Sequence, residues 1–145
     1  MPRPQKHRRV ASPPVFTDYK PTRVPTRLLD TVDLTLDEYE SIRLSEYLRK
    51  SHAEAAGEMG VSRPTFTRLH DRAWQKVGKF LVEGLHLSIA GGMIHFQQNL
   101  HHCNGCGKVF PTAIAAEVSA CPFCGSDQLD DLAAEHGHGE CCREK

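Results

Sequence analysis

The chain has 145 residues, 39% hydrophobic and 25% charged, with 18 basic and 18 acidic side chains. That length holds one modest core and one small stapled module. No apolar run approaches the roughly 18 residues of a membrane span and nothing resembles a signal peptide, so neither a membrane nor a secreted protein is expected.

A net charge of zero argues against a polyanionic partner only until the charges are placed. Residues 1–28 carry a net +6, 29–60 a net −5, 61–82 a net +4 and 83–145 a net −5. Local field, not the total, decides phosphate affinity. Four of the six cysteines form two C-x-x-C pairs. Without an export signal, such pairs point to metal in a reducing compartment, so a cytoplasmic location is expected.

Residues 1–30 read as a basic N-terminal arm. Its many prolines forbid a helix or a central strand. Arg3, Lys6, Arg8 and Arg9 suit an arm that follows a phosphate backbone or enters a minor groove, the alternative being a solvated tail. Phe16, Tyr19 and Val24 suggest that its second half packs on something.

Residues 31–84 read as a helix-turn-helix domain. Thr35-x-x-Glu38 is a capping box that opens a helix through about Leu48. Leu36, Tyr39, Ile42 and Tyr47 are expected on its inner side, with Asp37, Glu38, Glu40 and Glu46 outside. DNA would repel such an acidic face, so this helix is assigned to support.

Ser51-x-x-Glu54 caps a second helix running to Met59, with Ala55, Ala56 and Met59 inside. Gly60 supplies the left-handed exit, Ser62 caps the next helix, and Pro64 sits in its first turn. That third helix is expected to reach about Val82. Phe66, Leu69, Ala73, Val77 and Phe80 or Leu81 form an apolar stripe; Arg68, Arg72, Gln75 or Lys76, and Lys79 lie opposite. Trp74, beside the stripe, is expected in the core. His52–Asp71 fits the twenty-residue helix-turn-helix pattern, which leaves Arg63, Pro64, Thr67, Arg68 and Asp71 facing base edges. The plainer alternative is an αα-hairpin whose polar face meets water.

Residues 85–100 read as a connector. Leu85, Leu87 and Ile89 alternate with polar or small residues before Gly91-Gly92, and Met93–Phe96 comes next, as in a hairpin or a pair of short strands. Residues 101–132 read as a zinc ribbon. Cys103, Cys106, Cys121 and Cys124 form two knuckles able to close one tetrahedral four-thiolate site, with a small strand pair between them. One structural zinc ion is expected; iron, as in a rubredoxin-like centre, is the second choice. His101 and His102 are substitute ligand candidates. In the tail, 133–145, His136, His138, Cys141 and Cys142 are candidates for a second metal cluster, against a flexible tail with incidental ligands.

Met1-Pro2-Arg3-Pro4, Arg8-Arg9-Val10, Tyr19-Lys20-Pro21, Leu34-Thr35-Leu36-Asp37-Glu38 and Gly60-Val61-Ser62-Arg63-Pro64-Thr65-Phe66 carry a resemblance. Over about residues 1–92 the chain resembles a family of small uncharacterised prokaryotic proteins described as predicted DNA-binding. The resemblance implies a helix-turn-helix similar to sigma-factor region four, and assigns no role to the ribbon or tail.

The expected fold is therefore mainly α, sigma region-four-like, with a small C-terminal β zinc ribbon. The expected function is sequence-specific binding of double-stranded DNA by a transcriptional regulator. Arg63 and Arg68 would address guanine, with Pro64, Thr65 and Thr67 beside them; Arg72, Lys76 and Lys79 would hold phosphate, and Arg3, Arg8 and Arg9 would add arm contacts. A homodimer on a two-fold site fits such a motif. Two alternatives stand: an adaptor gripping RNA polymerase or another transcription protein, and a metal-responsive regulator. No nucleophile–base pairing, phosphate loop or open metal site is apparent, so an enzyme is not expected.

Overall fold

The computed structural model describes residues 6–143. It is 38% helical and 22% strand, the strands forming three small sheets. This α/β mix corrects the expectation of a mainly α chain. Most of the additional strands are two to four residues long and are held by distant partners, so they leave little periodic trace. Two compact units divide the chain: Met1–Arg9 with Phe16–Ile94, and Val10–Val15 with His95–Lys145.

β1 (Arg8–Val10) and β5 (Ile94–Phe96) form a two-stranded sheet, and the division between the units falls within each strand. A mixed three-stranded sheet, wholly in the first unit, has the order β2 (Asp18–Tyr19), β4 (His86–Ile89), β3 (Thr31–Leu34). β2 runs antiparallel to β4, while β3 runs parallel to it from Thr31↔His86 to Leu34↔Ile89. A parallel pair needs a crossover rather than a tight turn, and three helices supply it. His86 ties the three strands together: Nδ1 lies 3.0 Å from Thr31 Oγ1 and Nε2 lies 2.8 Å from Asp18 Oδ1. The strands on either side of Gly91-Gly92 both form but pair with other strands, not with each other, so the segment makes no hairpin.

α1 (Leu36–Ile42) starts at Thr35 with both arms of the capping box made. It passes into a π-type turn, Arg43–Tyr47, closed by the Leu48 N–H on the Arg43 carbonyl at 2.9 Å. The expected facing of this helix holds at Leu36, which is buried, and Glu46, which is exposed, and is corrected at Asp37, Glu38, Glu40 and Tyr47. Asp37, Glu38 and Glu40 are 5%, 2% and 1% exposed, while Tyr47 is 79% exposed. The acids can be buried because each meets a cation: Arg8 on Asp37, Arg43 on Glu40, and Lys76 Nζ on Glu38 at 2.6 Å. The extra residue of the π turn rotates the downstream backbone, which carries Tyr47 outward.

α2 (His52–Met59) is capped by Ser51, whose hydroxyl accepts from the Glu54 N–H at 3.2 Å. Gly60, at φ 70°, turns the chain into α3 (Arg63–Glu83), capped by Ser62 on the Thr65 N–H at 3.3 Å. Leu44, Ala55, Ala56, Met59, Phe66 and Leu69 form the core between them, with Val61 packed against it. Trp74 is not in that core: it is 42% exposed, and its indole N–H donates to His70 Nε2 at 3.0 Å. A polar indole edge finds its partner at the rim.

In the second unit β6 (Gln98–Cys103) is the central strand, flanked antiparallel by β7 (Val109–Ala113) and β8 (Leu129–Asp131). Between the knuckles stands one strand, β7, rather than the expected pair. Two short helices complete the unit, α4 (Leu132–Glu135) and α5 (Glu140–Arg143). Among the described residues no helix is long and apolar enough to cross a membrane.

Candidate nucleic-acid interface and metal centre

The apolar stripe of α3 is buried at Phe66, Leu69 and Ala73, half-buried at Val77 and Phe80, and exposed at Leu81. Its outer side carries Arg63, Pro64, Arg68, Asp71, Arg72, Gln75 and Lys79, all exposed. Among the described residues Arg63, Arg68 and Lys79 form no ion pair. Thr65 and Thr67 are half-buried, and both hydroxyls are engaged. Thr65 Oγ1 accepts from Ser62 Oγ at 2.8 Å, and Thr67 Oγ1 lies 2.9 Å from His52 Nδ1.

Several of the other candidate cations have acidic or carbonyl partners within the fold. Lys76 is bonded to the buried Glu38, and Arg72 Nε lies 4.0 Å from the same carboxylate. Arg8 pairs with Asp37. Lys6, Arg8, Arg72 and Lys76 thus line one cavity of about 320 Å³ around two acids. Arg9 caps the C-terminus of α2, donating from Nε to the Glu58 carbonyl at 3.1 Å and from Nη2 to the Gly57 carbonyl at 2.9 Å. A cation there complements the helix dipole. Arg3 lies outside the described residues. Sequence reasoning missed these internal uses because the partners of Arg8, Arg9 and Lys76 are remote in the chain.

Cys103, Cys106, Cys121 and Cys124 converge, with all four Sγ atoms within 4.8 Å of one another. Cys103 and Cys124 are 3.6 Å apart, Cys106 and Cys121 3.8 Å. The two knuckles repeat one geometry. The Gly105 N–H reaches Cys103 Sγ at 3.3 Å and the Phe123 N–H reaches Cys121 Sγ at 3.4 Å. Gly107 and Gly125 both stand at φ 77°, returning their N–H groups to the Cys103 and Cys121 carbonyls at 2.8 and 2.9 Å. At Cys103 and Cys121 these N–H donors to sulfur come from within the C-x-x-C.

Backbone N–H groups of Cys106 and Gly105 lower the Cys103 thiol to about 6 against the cost of burial. At Cys124 the Ser126 N–H opposes a rise, yet the shared contact with Cys103 and desolvation push it up to about 11. One thiolate forms easily here and a full set does not, unless a cation balances it. The cluster could hold a metal ion. His101 and His102 are not members; His101 Nδ1 meets Thr112 Oγ1 at 3.2 Å, and His102 Nδ1 lies 3.5 Å from Asp130.

In the tail His138, Cys141 and Cys142 come together, but His136 is not among them; His95 from β5 takes the fourth place. The His136 ring instead lies 6.0 Å from that of Phe96.

Residues 1–97 match the family described as "Protein of unknown function DUF134". A UPF0251 protein of Chloroherpeton thalassium is 42% identical over 142 residues, covering 94% of each chain. One of Pelotomaculum thermopropionicum is 43% identical over 126 residues, covering 87% of this chain and 95% of its own. One of Methanosarcina mazei is 36% identical over 137 residues, covering 88% and 78%. No solved structure matches. With the family match spanning well over half its length, the chain belongs to the DUF134/UPF0251 family of prokaryotic proteins.

Proposed function

We propose that this protein is a sequence-specific double-stranded DNA-binding regulator of transcription, acting in the cytoplasm by binding rather than catalysis. The observation that carries the reading is the outer side of α3. Arg63, Arg68 and Lys79 are exposed there without an ion-pair partner among the described residues, on a helix whose other side is held in the core. Unbalanced cations on a preorganised helix suit a polyanion.

Arg63 and Arg68 address guanine O6 and N7, Pro64 and the Thr67 methyl offer apolar contact, and Lys79 holds phosphate. Arg72 adds to the phosphate field, while Lys76 and Arg8 act mainly within the fold. The four-cysteine site takes zinc in a structural role, since four thiolates close a tetrahedral shell and leave no open position. One observation favours a second reading: Leu81 and Val82, at the end of the same helix, are 68% and 87% exposed. They would let the motif grip a transcription protein or a second copy of itself.

Selection of bound duplexes from a random pool, then affinity measurement across a salt series, tests the reading. Affinity should fall log-linearly with salt. Arg68→Ala should cost about 1–3 kcal/mol on the selected site and relax one position. Lys79→Ala should weaken all sequences alike and reduce the salt slope by about one. Binding indifferent to salt, or equal loss from both substitutions on every sequence, overturns it.

A further inference from the structure

Three pieces of the second unit meet at one point. His95, in β5, is 9% exposed, and Cys142, in α5, is 2% exposed. His138 and Cys141 come from the turn between α4 and α5 and from α5 itself. Each offers one ligand atom, and the four lie within 4.8 Å of one another.

Three of the four separations fit the edges of a shell around a shared ion, and the fourth, His138 to Cys141, is a few tenths of an ångström shorter. Cys141 Sγ and Cys142 Sγ are 3.7 Å apart. His138 Nδ1 lies 3.1 Å from Cys141 Sγ and 3.7 Å from Cys142 Sγ, and His95 Nδ1 lies 3.6 Å from Cys142 Sγ. A tetrahedral shell with bonds of about 2.3 Å to sulfur and 2.0–2.1 Å to nitrogen has edges of about 3.4–3.8 Å. Sulfurs 3.7 Å apart are far beyond a disulfide bond of about 2.05 Å. The same spacing, 3.6 and 3.8 Å, holds in the four-cysteine cluster.

A second likeness is the backbone donor. The Phe96 N–H points at Cys142 Sγ at 3.2 Å, as the Gly105 and Phe123 N–H groups do at the knuckle sulfurs. Such donors stabilise thiolate over thiol. α5 has four residues, far too few to persist by helix propagation alone. Something must hold this turn against β5.

We propose that His95, His138, Cys141 and Cys142 form a second, two-cysteine two-histidine zinc site that fastens the C-terminal turn to β5. Two imidazoles and two thiolates suit a borderline-soft divalent ion and leave no open position, so the site is structural. His136 is not a ligand. The site stands whatever α3 binds.

The test is zinc stoichiometry of the full-length reduced protein, by native mass spectrometry and elemental analysis. Cys141→Ser and His138→Ala, at positions that are not fully buried, should each bind one zinc fewer than the unaltered chain; His136→Ala should bind the same number. With cobalt in place of zinc, both losses should remove the spectrum of a two-thiolate site and keep that of a four-thiolate site. Unchanged stoichiometry in Cys141→Ser and His138→Ala, or loss of an ion in His136→Ala, overturns the proposal. Because the readout is a difference of one ion, failure of the four-cysteine site to take zinc would not mimic either result.

Discussion

Two clusters in this chain show different ways of holding a small fold. Around Phe66 are six buried apolar side chains from three consecutive helical segments, and none is a cysteine. Around Cys103 the buried set is Cys103, Phe110 and Cys121, and two of the three are candidate ligands. Where Leu, Met, Phe and Ala recur at helical spacing, burial alone orders the chain, at about 1.5–3 kcal/mol for each large side chain. Where strands are short and apolar residues few, the proposed ion would supply what burial does not.

Metal removal should break the symmetry most sharply. Zinc contributes roughly 10–16 kcal/mol of apparent binding free energy in comparable peptides. Chelation, or Cys103→Ser, should therefore unfold the ribbon while circular dichroism keeps the helical signal of α1 to α3. Collapse of the whole spectrum would show that the two regions are not independent. The converse is Phe66→Ala, expected to cost about 3–5 kcal/mol in urea unfolding of the helical region with metal content unchanged. Smaller still is Lys76→Ala, which leaves the buried Glu38 with one strong partner fewer, at about 1–3 kcal/mol. Its stability loss should come with little change in the salt slope of DNA binding, in contrast to Lys79→Ala; a full unit of slope lost would return Lys76 to the phosphate contacts.

The same comparison explains what could be read from the residues alone. Ser51, Gly60, Ser62 and Pro64 act on neighbours within four positions, so the helical turn is written locally. So is each knuckle, whose ligands are three residues apart. The burial of Asp37 and Glu38 was not legible, because their cations, Arg8 and Lys76, stand 29 and 38 residues away. The place of His95 beside Cys142 was hidden for the same reason, at a separation of 47. The parallel pairing of Thr31–Leu34 with His86–Ile89 leaves no mark in either strand, and with it went the α/β character of the fold.

That pairing has a mechanical consequence. The chain enters the three-helix stretch beside the point where it leaves, and eight residues in register clasp the two ends. α3 runs through Gly84 almost directly into the clasp. A partner that tilted this helix would have to strain the strand ladder, so any target would meet a fixed spoke on a hub, with little freedom left to surrender.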